Sequence, residues 1–308
     1  MLTFSKLASN PHASLMKPAT KPKHQVDYER WRRQKLAAYE NTPSLVTALA
    51  NPFDITEDEY SKILTNIKQF NMALYATDCG GVEDDNIPRQ IGRRFGLENL
   101  DRHLCAEESG IAALRFNPDQ LHGEYIPYSR RAINWHTDGY YNNPEQRINA
   151  MILQCVSTAE SGGENAVMDP EILYILLRDE NPSYIDALSR NNVMTIPANE
   201  QDGKVIREAQ TGPVFYSDEA GNLHMRYTAR TRSIEWLDDP MVKKATTRIT
   251  QILNDPRSPY IFRFRMKPGQ GIICNNVLHM RTAFEDNTRT GQHRLVYRAR
   301  YYDRVRIE

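Results

Sequence analysis

In Asn134-Trp135-His136-Thr137-Asp138-Gly139 an imidazole and a carboxylate stand two residues apart. In an extended strand such residues point to the same face, so His136 and Asp138 present a ring nitrogen and a carboxylate oxygen side by side. A metal ion is the partner that this pair fits. A third ligand from a distant strand, His279 in Asn275-Asn276-Val277-Leu278-His279, would complete a two-histidine, one-carboxylate set that leaves coordination positions open. That set is the mark of non-haem Fe(II) oxygenases. The pair alone is a weak sign, because a His-x-Asp arises easily by chance in a chain with eight histidines. The competing explanation is a strand end with two solvated polar groups. Two further alternatives stay open at this point. Zinc in a hydrolase takes the same ligand types, although no obvious general base stands two or three residues from a ligand. A metal-free jelly-roll binding module would use none of them.

A second constellation lies near the C-terminus. Alternation along the last candidate strand puts Arg294, Val296, Arg298 and Arg300 on one face and Leu295, Tyr297, Ala299 and Tyr301 on the other. Arginines on a wet face need no explanation. An arginine pointing into a barrel requires an anion, and its planar fork suits both oxygens of a carboxylate.

The elements that must bring these residues together follow from periodicity and punctuation. Residues 1–26 are polar and contain Pro11, Pro18 and Pro22, which predicts a loose arm. A charged surface helix is expected over 27–39. Thr56 and Glu59 form a capping box ahead of Tyr60, Ile63, Leu64 and Ile67 at helical spacing. A strand over 72–76, a turn at 78–81 and a helix from near Pro88 to Phe95 come next. Strands are expected over 111–116, 149–156, 166–168, 193–196 and 204–208, with a hairpin over 214–227 turning at Ala220-Gly221-Asn222. Asp169-Pro170 and Asp239-Pro240 each open a helix, and strands over 260–266, 271–275 and 295–302 close the chain. Many short strands with a few outlying helices predict a mainly β fold with flanking helices, a distorted jelly roll with a metal in the mouth between its sheets. Residues 27–308 are expected to form one domain.

Composition narrows the partners. The chain has 308 residues, 40% hydrophobic and 25% charged, with 39 Lys plus Arg against 39 Asp plus Glu. These are globular values, and a zero net charge supplies no field to attract nucleic acid or an anionic membrane. Cys79, Cys105, Cys155 and Cys274 have no CxxC spacing, and each stands beside apolar residues. They read as free buried thiols in a reducing compartment, with one disulfide as the alternative. No signal peptide or membrane-length apolar run is visible, so the cytoplasm is expected.

Taken in order, Trp135-His136-x-Asp138, Gly162-Gly163-Glu164-Asn165, the hairpin from Pro213 to Tyr227, Pro268-Gly269 before a strand ending Asn276-x-x-His279, and Arg294-x-x-x-Arg298 resemble the taurine dioxygenase (TauD/TfdA) family over about residues 110 to 303. The resemblance implies a double-stranded β-helix (jelly-roll) core. It implies an Fe(II)- and 2-oxoglutarate-dependent dioxygenase that uses O2 to hydroxylate a C–H bond of a small anionic molecule, releasing succinate and CO2. It implies His136, Asp138 and His279 as iron ligands, Arg294 on the distal carboxylate of 2-oxoglutarate and Arg298 on the substrate's anionic group. Where the family usually has Asp-Thr after the double glycine, this chain has Glu164-Asn165. An Asn amide can donate the hydrogen bond of the missing hydroxyl, so Asn165 is assigned to the cosubstrate. Family members are often dimers or tetramers, so the resemblance allows a homo-oligomer, while the residues themselves leave the oligomeric state open.

The remaining candidates weigh less. Tyr140 and Tyr141 follow the motif and Tyr141 is assigned to the substrate pocket, with one of the two facing away if the segment is a strand. Trp135 is expected to pack. Arg226, Arg230 and Arg232 are expected to coat a surface rather than meet an anionic substrate. His103, His122 and His224 are taken as structural or exposed, and His293 as facing away from Arg294.

Overall fold

A computed structural model describes residues 17–18, 25–40, 45–101, 109–116, 126–201, 203–230, 234–287 and 289–306. Six helices are numbered α1 (Gln25–Glu40), α2 (Glu57–Phe70), α3 (Asn86–Arg94), α4 (Pro170–Glu180), α5 (Pro182–Leu188) and α6 (Pro240–Leu253). The ten strands of the two larger sheets are β1 (Val46–Ala48), β2 (Met72–Ala76), β3 (Ala112–Leu114), β4 (Ile133–His136), β5 (Ala150–Ser157), β6 (Asn165–Met168), β7 (Phe262–Phe264), β8 (Gln270–Cys274), β9 (Leu278–Arg281) and β10 (Leu295–Tyr301). The fold is mainly β with flanking helices.

The larger sheet has the order β1-β2-β8-β5-β10-β3 and the smaller the order β7-β6-β9-β4. Only β1 and β2 pair in parallel; the other neighbours in both sheets are antiparallel. One core joins the sheets. Met72, Leu74, Met151, Ile272 and Cys274 of the larger sheet pack with Trp135, Val167, Met168 and Leu278 of the smaller, and with α4 to α6. The opposite face of the larger sheet carries Ala73, Tyr75, Ile152, Ile273, Tyr297 and Tyr301 against Ile63 and Ile67 of α2 and Ile87 and Ile91 of α3. Successive residues of one strand thus enter different cores, as the pleat requires.

The helices start where side-chain oxygens satisfy free backbone donors. Thr56 Oγ1 accepts from the Glu59 N–H at 3.3 Å and the Glu59 carboxylate accepts from the Thr56 N–H at 2.8 Å, the reciprocal pair of a capping box. Asp169 and Asp239 cap α4 and α6 with Pro at the first turn. Helix α5 is an addition to the expected elements, although Asn181-Pro182 carries the same signal, with Asn181 Oδ1 accepting from the Ser183 N–H. Of the expected arm, Lys17–Pro18 pairs with Tyr216 and Ser217; residues 1–16 and 19–24 lie outside the described residues, as do Cys105, His103, His122 and Arg232. Cys155 and Cys274 are free and buried, while Cys79 is free and only partly covered. Among the described residues, no helix is long and apolar enough to cross a membrane.

Candidate active site

His136 ends β4 and His279 lies on β9, where the two are direct cross-strand partners. Their rings lie 4.1 Å apart between centroids. Asp138 stands two residues beyond His136, with its Oδ1 at 3.6 Å from His136 Nε2 and 3.9 Å from His279 Nε2. One ligand atom from each residue lies within 4.8 Å of the others. No member is turned outward, as a metal-free binding module would allow.

The donor set fits a cation. Each imidazole is tied through Nδ1 to a backbone carbonyl two residues earlier, His136 to Asn134 and His279 to Val277, both at 2.9 Å. A carbonyl only accepts, so Nδ1 holds the proton and Nε2 offers a lone pair toward Asp138. Burial, then the neighbouring His136, pushes the His279 pKa down to about 4, which keeps that ring neutral. Burial alone would raise the Asp138 carboxyl; the neighbouring positive charge, Arg298 first and then Arg300, outweighs it and holds the group well below the usual carboxylate range. Asp138 Oδ2 is buried with no hydrogen-bond partner, an arrangement that is costly unless a ligand completes it.

A fifth stretch secures the edge of the small sheet. Thr137 N–H donates to Tyr227 O at 3.0 Å, Tyr227 N–H to Thr137 Oγ1 at 3.1 Å and Ala229 N–H to Trp135 O at 2.7 Å. Strand β4 is therefore held from both sides, by β9 and by residues 227–229. Trp135 is buried in the shared core, as expected of a packing residue.

The arginine face of β10 is dry. Arg294, Arg298 and Arg300 are all buried, and the alternate residues Leu295, Tyr297, Ala299 and Tyr301 all enter the core under α2 and α3. The three arginines meet different partners. Arg298 Nη1 lies 3.7 Å from Asp138 Oδ1. Arg300 is paired with Asp101 and donates to Tyr141 Oη at 2.9 Å, so its charge is balanced within the chain. Arg294 has a buried Nη1 with no partner, and burial pushes its pKa down to about 10. It lines a cavity with Gly162, Gly163, Asn165, Arg265 and Met266. Asn165 is buried there and donates to Gly163 O at 3.4 Å. Residue-by-residue reading missed Arg281, two positions beyond His279: its pKa is pushed down to about 9, by burial and then by Arg294, and its Nε is also buried without a partner. Both guanidinium groups lie over the Phe284 ring, at 4.8 and 5.2 Å. The signal was available, since Arg281 shares the face of His279 by alternation.

Beside the three converging residues the chain turns at Gly139 rather than continuing as a strand, and both Tyr140 and Tyr141 are half-buried. The expected split of one inward and one outward ring therefore does not hold. The Tyr140 ring stands edge-on to His136 at 6.4 Å and to Tyr141 at 5.1 Å. Arg226 is not on the surface. It is buried and donates from Nε to Tyr140 O at 2.7 Å, from Nη1 to Met194 O and Gly212 O, and from Nη2 to Gln210 O at 2.7 Å. Four carbonyls replace the water that a surface position would supply, and the result fixes the tyrosine turn. Arg230 is exposed and reaches Tyr140 Oη at 3.4 Å, and Arg207 lies 5.8 Å over the Tyr141 ring. His224 is buried against Asp218 at 3.3 Å, and His293 is exposed.

Comparison with known proteins gives a consistent neighbourhood. A family model described as taurine catabolism dioxygenase TauD, TfdA family matches residues 84–300, which is 217 of 308 positions. A uridine-5'-phosphate dioxygenase of an Amycolatopsis species is 29% identical over 259 residues, covering 79% of this chain and 90% of that protein. A protein of the same description from a Streptomyces species is 30% identical over 169 residues, 52% of this chain and 58% of the relative. Among solved structures, the non-heme iron oxygenase OrfP in complex with Fe and alpha-ketoglutaric acid superposes with a TM-score of 0.57 at 14% identity over 79% of this chain and 78% of its own. Asparagine oxygenase gives 0.54 at 14% over 90% and 92%. At these identities the structural likeness concerns the fold alone.

Proposed function

Since this chain belongs to the taurine catabolism dioxygenase (TauD, TfdA) family, it is a non-haem iron dioxygenase that uses Fe(II) and 2-oxoglutarate, and we propose that it hydroxylates a C–H bond of a small anionic substrate. Uridine-5'-phosphate, the molecule named in its curated relatives, is the first candidate. The observation that carries the reading is the convergence of His136, Asp138 and His279 within 4.8 Å, with one buried carboxylate oxygen left without a partner. We read the two facing sheets as a double-stranded β-helix and residues 27–308 as one dioxygenase domain. Its buried free thiols Cys155 and Cys274 suit a reducing compartment such as the cytoplasm.

In this reading His136, Asp138 and His279 hold iron. When bound, iron, 2-oxoglutarate and O2 supply a reaction in which one oxygen atom enters the substrate C–H bond and the other enters succinate, with loss of CO2. The protein's own residues bind and orient. Arg294 takes the distal carboxylate of 2-oxoglutarate, and Asn165 in the same cavity donates a hydrogen bond to it. Arg294 and Arg281 lie buried near each other, with one Nη1 and one Nε unpartnered, and that arrangement suits a carboxylate arriving in this cavity. Arg298 meets the anionic group of the substrate on the metal side, and Tyr141 lines the pocket. Tyr140 forms the wall between His136 and the exposed Arg230, and Arg207 beside Tyr141 adds a further positive group. Neither Arg207 nor Arg230 has an acidic partner among the described residues, unlike the half-buried Arg94 and Arg248 and the exposed Arg190. A phosphate monoester matches that surplus of positive charge.

The test is succinate formation by the iron-loaded enzyme with and without uridine-5'-phosphate, alongside a panel of small carboxylates, sulfonates and other phosphate esters. Stimulation by uridine-5'-phosphate, and not by uridine, is expected. Stimulation by neutral compounds only would remove the anionic class, and stimulation by a carboxylate or sulfonate alone would remove the nucleotide.

A further inference from the structure

The three-residue link Asn275-Asn276-Val277 carries the chain from β8 in the larger sheet to β9 in the smaller. Its middle residue, Asn276, is one of two non-glycine residues among those described with a positive φ, here 49°. Glycine meets that backbone requirement with less strain, so the amide must supply something that glycine lacks. Its partners say what. Asn276 Oδ1 accepts from the Asp138 N–H at 2.8 Å, and Asn276 Nδ2 donates to Asp138 O at 2.9 Å and to Ile148 O at 2.7 Å. Both amide protons and the amide oxygen are thus engaged, and the residue is buried. The backbone of Asp138 is gripped on its N–H and its C=O by one side chain.

We propose that Asn276 is a positioning residue that sets the Asp138 carboxylate against the two imidazoles, and so determines metal affinity from outside the ligand set. The inference rests on the metal assignment proposed above. The geometry gives the clamp leverage at both ends. Asn275 is itself anchored, its N–H donating to Asn71 O at 2.9 Å and its Oδ1 accepting from the Val305 N–H at 3.1 Å. Val277, one residue on, supplies the carbonyl that orients the His279 ring. A single fixed link therefore places His279 through the chain and Asp138 through the amide. Gly139, the next residue after Asp138, has φ 67° and packs so closely on Ile148, whose carbonyl Asn276 also holds, that a Cβ there would lie 2.5 Å from Ile148 Cγ1.

Anaerobic Mn(II) binding to the full-length protein, followed together with melting temperature, tests the clamp. Asn276→Gly keeps the positive φ and removes the amide; Asn276→Ala removes both. The expected result is that both variants bind Mn(II) about 10- to 100-fold more weakly than wild type, the range found when a group that orients a ligand is lost. The 2-oxoglutarate KM, measured at saturating iron, stays unchanged. Asn276→Gly binding Mn(II) as wild type does, whatever its melting temperature, would leave a structural role only and overturn the proposal. So would a loss seen in Asn276→Ala alone, which would assign the position to its backbone. Wild-type protein that binds no Mn(II), or a His279→Ala variant that binds it equally well, would overturn the metal assignment and the clamp with it.

Discussion

Arg294 and Arg298 stand on one face of one strand yet meet different charges. Arg298 faces the carboxylate of Asp138, whereas the Arg294 guanidinium is buried with an unpartnered Nη1 in a cavity that the double glycine helps to form. Asp286 offsets only part of the cost of burying this cation, whose pKa stays down at about 10, so the ligand that completes Arg294 binds with much of that penalty already in the protein. Arg294→Met is expected to raise the KM for 2-oxoglutarate by about 100-fold, the equivalent of roughly 2.7 kcal/mol for a charge-assisted pair. The substrate KM should change little. Titrating succinate formation against each reactant separates the two, and a raised substrate KM at constant 2-oxoglutarate KM would exchange the roles of the two arginines.

At the level of elements, α1 is fastened to α4 by a buried lysine. Lys35 Nζ lies 2.8 Å from Asp169 Oδ2 and 2.6 Å from Glu171 Oε2, and donates to Gln69 O at 2.9 Å. Burial alone would lower the Lys35 pKa, but the two carboxylates outweigh it and raise it. The same Asp169 caps α4 and accepts from Asn71 Nδ2 at 3.0 Å. Removing the cation leaves the buried Asp169 and the partly buried Glu171 side by side without it. Lys35→Met is therefore expected to lower the unfolding free energy by about 3–5 kcal/mol, the usual loss when one partner of a buried pair is deleted. Urea denaturation measures this, and a loss below about 1 kcal/mol would mean that the surrounding amides satisfy the carboxylates unaided.

Across the whole molecule the two sheets share one core, and the proposed metal and cosubstrate positions lie on residues from both. Ligands that bind only the folded state then stabilise the entire chain. Mn(II) at about 100 times its Kd should add about 2.7 kcal/mol, seen as several degrees in the melting temperature. Adding 2-oxoglutarate should raise it further. His279→Ala should abolish the metal increment, and Arg294→Met only the cosubstrate increment. An equal 2-oxoglutarate increment in metal-free protein would show that the cosubstrate docks without iron and that Arg294 suffices to hold it.

Much of this was legible in the residue order. Spacing put His136 and Asp138 on one face, alternation sorted Arg294, Arg298 and Arg300 from the aromatic residues of β10, and capping signals marked α2, α4 and α6. Each of these is a property of one element, and periodicity within an element reports which side chains share a face. Three findings needed the tertiary structure. His279 became the cross-strand partner of His136 only once β9 paired with β4, some 140 positions away in sequence. Arg226 proved buried because four carbonyls from three separate segments surround it, and no local pattern announces such a cradle. Asn276 proved to hold the Asp138 backbone because a crossover between sheets passes beside it. By itself the sequence determined the faces; which faces met, and how dry the space between them became, depended on pairing between distant strands, a long-range choice that local periodicity does not encode.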